Sequence, residues 1–146
     1  MSNDYLNNER FTEELTEYGI TYRKAIEQFE KEDDGSKALS DYIPQMPDYI
    51  GECIILIAQN TAKRPNFSGY SWKDDMISHA IEVAVRGAKG FNAEYIISLG
   101  KKPNGFGYIT QMVWFAFLDV IRKEKHRKEM NDKYIMNLGL TAMVSY

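Results

Sequence analysis

An aromatic run followed directly by a basic run is the feature of this sequence most suggestive of chemistry. Residues 108–121 include Tyr108, Trp114 and Phe115, and the next eight residues, 122–129, contain five lysines and arginines. Aromatic rings stack on nucleic-acid bases and cations hold phosphates, so this combination is typical of a nucleic-acid-binding surface. The alternative is a helix packed on several sides that ends in a solvated basic segment.

Both runs are predicted to lie on one helix from Tyr108 to Glu129. Apolar residues at helical spacing form one stripe of it, and further aromatic and aliphatic residues occupy the rest of its circumference. One small core cannot cover every side of such a helix. We therefore expect part of the aromatic surface to face a partner.

A second helix is predicted just before this one. Ser71 and Asp74 stand at the spacing of a capping box, in which each side chain accepts a hydrogen bond from a free backbone amide. Gly87 and Gly90 are predicted to end the helix through the left-handed conformation. The residues predicted to share its apolar stripe are Ile77, Ala80, Ile81, Ala84, Val85 and Ala88.

Two more helices follow from apolar residues that recur every three or four positions. The first runs from Asn8 to Lys31, with Phe11, Leu15 and Tyr18 on its apolar face. The second runs from Asp48 to Lys63, where Pro65 prevents continuation. No strand pattern appears, so the predicted fold is an all-α, compact helical bundle.

The segments between these helices are predicted to be irregular. Glu30–Ser36 is expected to be an exposed turn, and Lys37–Asp48 a loop with a short turn near Ala38–Tyr42, because Pro44 and Pro47 interrupt it. Residues 92–107 are expected to form a loop of about sixteen residues. After Glu129 the helix is expected to fray, and residues 134–146 read as an apolar tail without a clear period.

The composition fits one globular domain, and the charge is distributed unequally along the chain. The 146 residues are enough for one modest core, and the apolar run around Cys53 predicts a buried thiol. Residues 1–60 hold 5 Lys/Arg against 13 Asp/Glu, a net charge of −8, whereas residues 61–146 hold 13 against 8, a net of +5. The basic half can face phosphate. The acidic half can face a basic protein surface, shield the basic half from other nucleic acid, or simply keep the chain soluble.

Enzymatic and membrane functions find little support in the residues. Asp74 and Asp75 are adjacent acids of the kind that a helix N-terminus favours, and neither His79 nor His126 belongs to a nucleophile motif. We expect no catalytic residue, no cofactor and no metal site. The N-terminus lacks an apolar signal segment and no apolar run is long enough for a membrane span, so we expect no membrane association.

Several motifs, taken in order, carry a resemblance to a known family. Phe-Ser-Gly-Tyr-Ser-Trp-Lys-Asp-Asp-Met-Ile at 67–77, Ile-Glu at 81–82, Lys-Gly-Phe-Asn at 89–92 and Tyr-Ile-Thr-Gln at 108–111 resemble the late-gene sigma factor of T-even-type bacteriophages. Their order also resembles region two of bacterial primary sigma factors. The likeness covers about residues 49–128, with a fainter Tyr-Leu-Asn-Asn echo at 5–8.

The resemblance implies that the helix beginning near Ser71 binds the clamp coiled coil of the largest subunit of host core RNA polymerase. Its polar positions lie off the apolar stripe, where they can form charge-assisted hydrogen bonds with arginines of a partner. His79 departs from the family, which usually has an acidic residue there. The candidate polymerase-binding residues are Asp74, Asp75, Ser78, His79 and Glu82.

The resemblance also implies that the aromatic helix opens and reads a minus-ten-like promoter element. Tyr108 matches the position of an aromatic that stacks an unpaired base. The positions of the family's tryptophan pair hold Gln111 and Met112, and Phe115 and Leu118 replace base-reading polar residues. The candidate DNA-binding residues are Tyr108, Thr110, Gln111, Trp114, Phe115, Arg122, Lys123, Lys125, Arg127 and Lys128.

These expectations describe a phage late-type sigma factor that directs host polymerase to an A·T-rich late promoter element in the cytoplasm of an infected bacterium. The alternative is a polymerase-binding interaction module, such as an inhibitor or adaptor, that does not read DNA. The resemblance further implies a phage coactivator and a sliding clamp as partners, although the C-terminus lacks the family's acidic clamp-binding motif. The segments expected are an acidic N-terminal helix and linker at 1–47, a sigma region-two-like domain at 48–130 and an apolar tail at 131–146.

Overall fold

The protein is all-helical, as the sequence predicts. The computed structural model describes residues 5–32, 35 and 37–144, and of residues 141–144 the backbone alone. The five α-helices of this part of the chain are α1 (Asn8–Lys31), α2 (Asp48–Ala62), α3 (Lys73–Gly87), α4 (Ala93–Ser98) and α5 (Gly105–Val144), with short 3-10 turns at Leu39–Asp41 and Ala88–Gly90.

The predictions for the first two helices are confirmed. α1 has the predicted bounds, and the Asn7 side chain caps it by accepting a hydrogen bond from the backbone amide of Arg10. α2 ends one residue before the predicted Lys63, and Cys53 is buried in it. The 3-10 turn lies within the predicted turn near Ala38–Tyr42, whereas residues 33, 34 and 36 of the expected exposed turn lie outside the described residues.

The start and the end of α3 differ from the prediction. The helix begins at Lys73, after Trp72. Trp72 is partly buried against the core, and its ring centroid lies 5.3 Å from that of Tyr70. Ser71 is therefore left exposed and forms no capping hydrogen bond. Gly87 keeps a right-handed φ of −84°, and the chain continues into the 3-10 turn. The predicted capping box and left-handed stop are therefore both wrong.

The buried face of α3 is rotated slightly from the predicted stripe. Met76 is fully buried although it is not in that stripe, whereas Val85 is 38% exposed and Ile77 and Ile81 are half-buried. Ala80, Ala84 and Ala88 are fully buried at four-residue steps, and such small side chains let a neighbouring helix approach closely. α3 packs along α5, and both pack against α2.

One hydrophobic core joins α1, α2, α3 and α5. Each helix buries a stripe against the others, and apolar burial of this kind is the main favourable contribution to folding. Phe67, from the α2–α3 connection, lies edge-on to Phe117 with ring centroids 5.0 Å apart. The largest fully buried apolar side chains are Phe11, Leu15, Ile50, Ile54, Ile57, Phe67, Met76, Phe91, Ile109, Val113 and Phe117.

The predicted loop at 92–107 is wrong, because it contains a helix and the start of α5. Asn92 caps α4 by accepting a hydrogen bond from the amide of Tyr95. Gly100, with φ of 76°, ends α4 in the left-handed conformation that only glycine adopts at no steric cost. α4 has only six residues, fewer than two turns, and so short a helix gives too little periodicity to be read from sequence.

The N-terminus of α5 is held by side chains of α1. Thr12 Oγ1 accepts a hydrogen bond of 2.9 Å from the amide of Gly105, and Asn8 Oδ1 accepts one of 2.9 Å from the amide of Phe106. Asn104 Oδ1 accepts from the amide of Gly107 at 3.0 Å. These acceptors satisfy amides that a helix start leaves without an intrahelical partner, so α5 begins three residues earlier than predicted.

The predicted fraying after Glu129 is also wrong, because α5 continues to Val144. Among the α5 side chains that the structure describes, up to residue 140, Ile121 is the last buried one, and residues 125–140 are exposed. Residues 145 and 146 of the expected tail lie outside the described residues. Despite its length of 40 residues, α5 is not apolar enough to cross a membrane, and neither is any other helix in the described ranges.

Candidate nucleic-acid interface

One exposed stripe of α5 changes from polar to aromatic and apolar and then to basic. Gln111, Phe115, Leu118, Arg122 and Lys125 follow each other at steps of four, three, four and three residues, which places them on one helix face. Phe115 is 58% exposed, an unusual state for so large an apolar ring, and Arg122 is 78% exposed. The stripe therefore offers an accessible ring about two and three helical turns before two cations.

This stripe borders a surface groove of about 640 Å³. The α2–α3 connection supplies the opposite wall, where the chain turns at Asn66 and Tyr70 before entering α3. The lining residues of α5 include Trp114, Phe115 and Lys125. Four aromatic side chains and two cations thus share one concave surface, which is the arrangement that stacks bases and holds a phosphate backbone.

Trp114 is fixed in the groove wall by its neighbours. Its ring lies edge-on to Phe67 with centroids 4.7 Å apart, and the Arg64 guanidinium lies 5.5 Å from the ring centre. Edge-on aromatic pairs and cation–π contacts each stabilise a ring in one orientation. Trp114 is half-buried, so it serves both the core and the groove.

The five cations of the basic run do not point the same way. Arg122 and Lys125 line the groove. Arg122 also lies 3.9 Å from Asp119 Oδ1, but Lys123 is closer to that carboxylate, at 3.1 Å from Oδ2, and Arg127 pairs with Glu124. The hydrogen bond and charge of Lys123 lower the pKa of Asp119, with smaller contributions from His79 and Arg122. Lys128 is exposed.

The first turns of α5 lie away from the groove. Tyr108 is half-buried, and its hydroxyl donates a hydrogen bond of 2.9 Å to the carbonyl oxygen of Gly87. Thr110 Oγ1 is buried and has no hydrogen-bond partner among the described residues. Tyr108 and Thr110 therefore do not join Phe115, Trp114, Arg122 and Lys125 at the groove.

The residues that the resemblance assigns to polymerase lie on α3. Asp74, Asp75, Ser78 and Glu82 are exposed, and Glu82 pairs with Arg86 at 3.2 Å. His79 differs, because its Nε2 lies 3.5 Å from Asp119 Oδ2 and so connects α3 to α5. Asp119 follows directly after Leu118 of the groove, so the polar stripe of α3 and the groove are neighbouring surfaces.

Tyr70, which lines the groove, and Arg64, which lies over the Trp114 ring, were not among the sequence candidates. Both lie near the turn between α2 and α3, and their contacts with α5 are long-range in sequence. The aromatic residues Phe67, Tyr70 and Trp72 within six positions of one connection were the available signal. Loops that carry such residues on a rigid scaffold are frequent binding sites.

No protein-family model and no curated protein matches this chain. The described residues contain no group of three or more His, Cys, Asp or Glu placed to hold a metal ion.

Proposed function

We propose that this protein is a late-type sigma factor of a bacteriophage that binds host core RNA polymerase through α3 and holds an opened promoter strand in the groove of α5. The observation that carries the proposal is the aromatic and basic groove lined by Tyr70, Trp114, Phe115, Arg122 and Lys125. The motifs of this chain also follow the order found in region two of sigma factors, and that resemblance supports a role in transcription initiation.

The groove suits single-stranded rather than double-stranded DNA. Stacking of one unpaired base on an aromatic side chain contributes about 1 to 3 kcal/mol and depends little on sequence. Phe115, with 58% of its surface exposed, is accessible for such a contact without any change of fold. Arg122 lies two turns further along the same helix face, at a rise of about 10 Å, where it can meet a phosphate of the same strand.

The polar stripe of α3 supports the second part of the proposal. Asp75, Ser78 and Glu82 recur at three and four residues on one exposed face, and a row of acceptors suits arginines of a partner helix. His79 is held near Asp119, so in this proposal it orients α3 on α5 and does not contact polymerase directly.

An interaction module that grips polymerase without reading DNA is the competing function. Two observations favour it: Lys123 and Arg127 are engaged by carboxylates of their own helix, and Tyr108 is committed to Gly87. Against it, the groove combines rings and cations that an inhibitor of polymerase does not need.

Runoff transcription separates the two functions. The protein is added to bacterial core polymerase on an A·T-rich promoter with a premelted bubble, and we expect a specific transcript from the parent protein. The triple variant Phe115→Ser, Arg122→Gln, Lys125→Gln should bind core polymerase as the parent does but give no specific transcript. If the parent binds polymerase but gives no specific transcript, the interaction module is favoured. If the parent does not bind core polymerase at all, both functions are excluded.

A further inference from the structure

A second and larger groove, of about 910 Å³, lies on the opposite side of α1 from the core. It runs between α1 and the α4–α5 segment, and its lining combines apolar side chains with carboxylates spaced four residues apart on α1. The carboxylates are Glu9, Glu13 and Glu17, and the apolar lining includes Ile20, Ile97 and Pro103.

The three carboxylates of this groove are only partly balanced by the two cations of its own lining, Lys24 and Lys102. Residues 8–20 hold four glutamates and one cation, Arg10, which pairs with Glu14 at 3.8 Å. Glu9, Glu13 and Glu17 are exposed and are in no ion pair within the part of the chain that the structure describes. A partner for this groove should therefore be basic at one end and apolar at the other.

The same chain carries a segment with that pattern. Residues 122–140 of α5, here called the arm, hold six lysines and arginines against three acids, a net charge of +3. Met130, Tyr134 and Leu138 follow at four-residue steps and are 53%, 63% and 52% exposed. One face of the arm is thus apolar over two turns, and exposed apolar surface of this extent marks an interaction site.

The arm matches the groove in length. Arg127 and Leu138 are 11 residues apart on one face of the arm, as Glu9 and Ile20 are on α1, so both pairs span about 16 Å along a helix. In a parallel alignment Arg127 lies opposite Glu9, Lys128 lies between Glu9 and Glu13, and Leu138 lies opposite Ile20. Lys24, which also lines the groove, then comes near the C-terminal end of the arm, where free carbonyls favour a cation.

The arm cannot reach the groove of its own molecule. α5 begins against α1, where Gly105 donates to Thr12, and it leaves the core at Ile121, about 24 Å further along the axis. The arm continues in the same direction as one helix. It therefore points away from its own groove, and only another molecule can supply the matching surface.

We propose that the arm of one copy docks in the α1–α4 groove of a second copy, and that the exchange is reciprocal. A two-fold arrangement lets each molecule contribute one arm and one groove, so both complementary surfaces are covered and the assembly closes. This inference goes beyond the proposed function, because the α1–α4 groove belongs to neither the DNA groove nor the polar stripe of α3, although the arm begins with Arg122 and Lys125 of the DNA groove.

Sedimentation of the full chain over a range of concentration tests the proposal, with no polymerase or DNA present. The parent should reach a mass of twice 16.9 kDa. Glu9→Arg/Glu13→Arg and Arg127→Glu/Lys128→Glu should each raise the dimer dissociation constant about tenfold or more, since each places like charges together. An equimolar mixture of the two variants should recover the dimer. In the mixed dimer one contact joins a parental arm to a parental groove, and the other joins an acidic arm to a basic groove, so opposite charges meet in both.

The control is Glu27→Arg/Glu30→Arg, which makes the same charge change on α1 outside the groove lining and should dimerise as the parent does. A parent that stays monomeric up to about 200 μM would overturn the proposal, as would a dimer indifferent to both groove and arm variants. Growth into larger particles would overturn the reciprocal arrangement. None of these outcomes depends on transcription, so the proposed function can stand or fall separately.

Discussion

Tyr108, in the first turn of α5, donates a hydrogen bond of 2.9 Å from its hydroxyl to the carbonyl oxygen of Gly87 at the end of α3. The last carbonyls of a helix have no intrahelical partner, so Tyr108 acts as a tertiary cap for α3. Its ring also lies edge-on to Phe91, with centroids 5.2 Å apart. Tyr108 therefore connects the two helices on which the proposed function depends, and its role in stacking a base stays a prediction.

Tyr108→Phe removes this hydrogen bond and keeps the ring. We expect the free energy of unfolding to fall by about 1 kcal/mol, because a carbonyl that is partly shielded from water loses its donor. Urea denaturation followed by circular dichroism measures it, and Tyr95→Phe, at a 61% exposed tyrosine of α4, is the matched control. An equal loss in both variants would show that the Gly87 contact contributes no stability.

Stability should fall as pH rises above 10. Burial raises the pKa of Tyr5, Tyr18, Tyr49 and Tyr108 above the ordinary value of 10.0. The unfolded chain then loses these protons at a lower pH than the folded chain, so the stabilisation is complete below pH 10 and is lost as pH rises through the folded pKa values. Unfolding free energies between pH 8 and 11 test this. The decline should be shallower in Tyr108→Phe, which has one such group fewer.

Three glycine-to-alanine variants should differ in sign and size. At Gly19 a Cβ atom would lie 2.4 Å from the carbonyl oxygen of Phe91, which is backbone and cannot move aside cheaply. At Gly87 it would meet only the end of the flexible Met112 side chain, and at Gly51 nothing within 4 Å. We expect Gly19→Ala to destabilise by about 1 to 3 kcal/mol, Gly87→Ala to cost less, and Gly51→Ala to stabilise by up to about 1 kcal/mol. Thermal unfolding of the three proteins should reproduce this order, and stabilisation by Gly19→Ala would contradict the close packing of α1 on Phe91.

Asp75→Arg/Glu82→Arg should abolish co-purification with core polymerase. Both side chains are exposed, and the Glu82–Arg86 pair is a surface ion pair of the kind that contributes about 0.3 to 0.5 kcal/mol, so the helix content should stay unchanged. Asp48→Arg/Glu52→Arg on α2 makes the same charge change at exposed positions elsewhere and should bind as the parent does. Unchanged binding by the α3 variant would remove α3 as the polymerase surface.

Phe115→Ser should weaken binding of single-stranded DNA by about 1 to 3 kcal/mol, roughly 5- to 150-fold, if a base stacks on that ring. Tyr95→Ser, at a similarly exposed ring on α4, should leave the affinity unchanged. Fluorescence anisotropy of a labelled oligonucleotide measures both. Equal affinities of Phe115→Ser and the parent would exclude stacking on Phe115.

Arg122→Gln/Lys125→Gln tests whether the same groove binds phosphates. On single strands we expect the slope of log affinity against log salt to become shallower by about 0.7 for each phosphate that the variant no longer neutralises. Lys101→Gln/Lys102→Gln, in the segment between α4 and α5, removes the same charge away from the groove and should keep the parental slope. Identical slopes in all three proteins would place the phosphates elsewhere.

Capping residues and apolar spacing within the sequence were enough to determine some of the helices. Asn7 and the repeat of Phe11, Leu15 and Tyr18 determine α1, because capping and amphipathic spacing act within a few residues. The burial of Cys53 follows in the same way from its apolar run.

Tertiary structure decided the features that depend on interactions between distant residues. α5 begins at Gly105 because Asn8 and Thr12, more than 90 positions away, accept hydrogen bonds from its first amides. α3 begins after Trp72 because that ring packs into the core, which overrides the local capping pattern of Ser71. Neither the hydrogen bonds from Asn8 and Thr12 nor the packing of the Trp72 ring can be predicted from the residues next to each helix start.

Some features of the candidate nucleic-acid groove also follow from the sequence alone, and others depend on the tertiary structure. The sequence by itself placed Trp114, Phe115, Arg122 and Lys125 on one helix, since their spacing is local. Only the folded chain decided that Tyr108 turns to Gly87, whereas the pairs of Lys123 with Asp119 and of Arg127 with Glu124 follow from spacings of four and three residues on one helix. The connection that carries Tyr70 comes to face Phe115 because Phe67 is buried against Phe117, and a contact across fifty residues depends on the packing of the whole core.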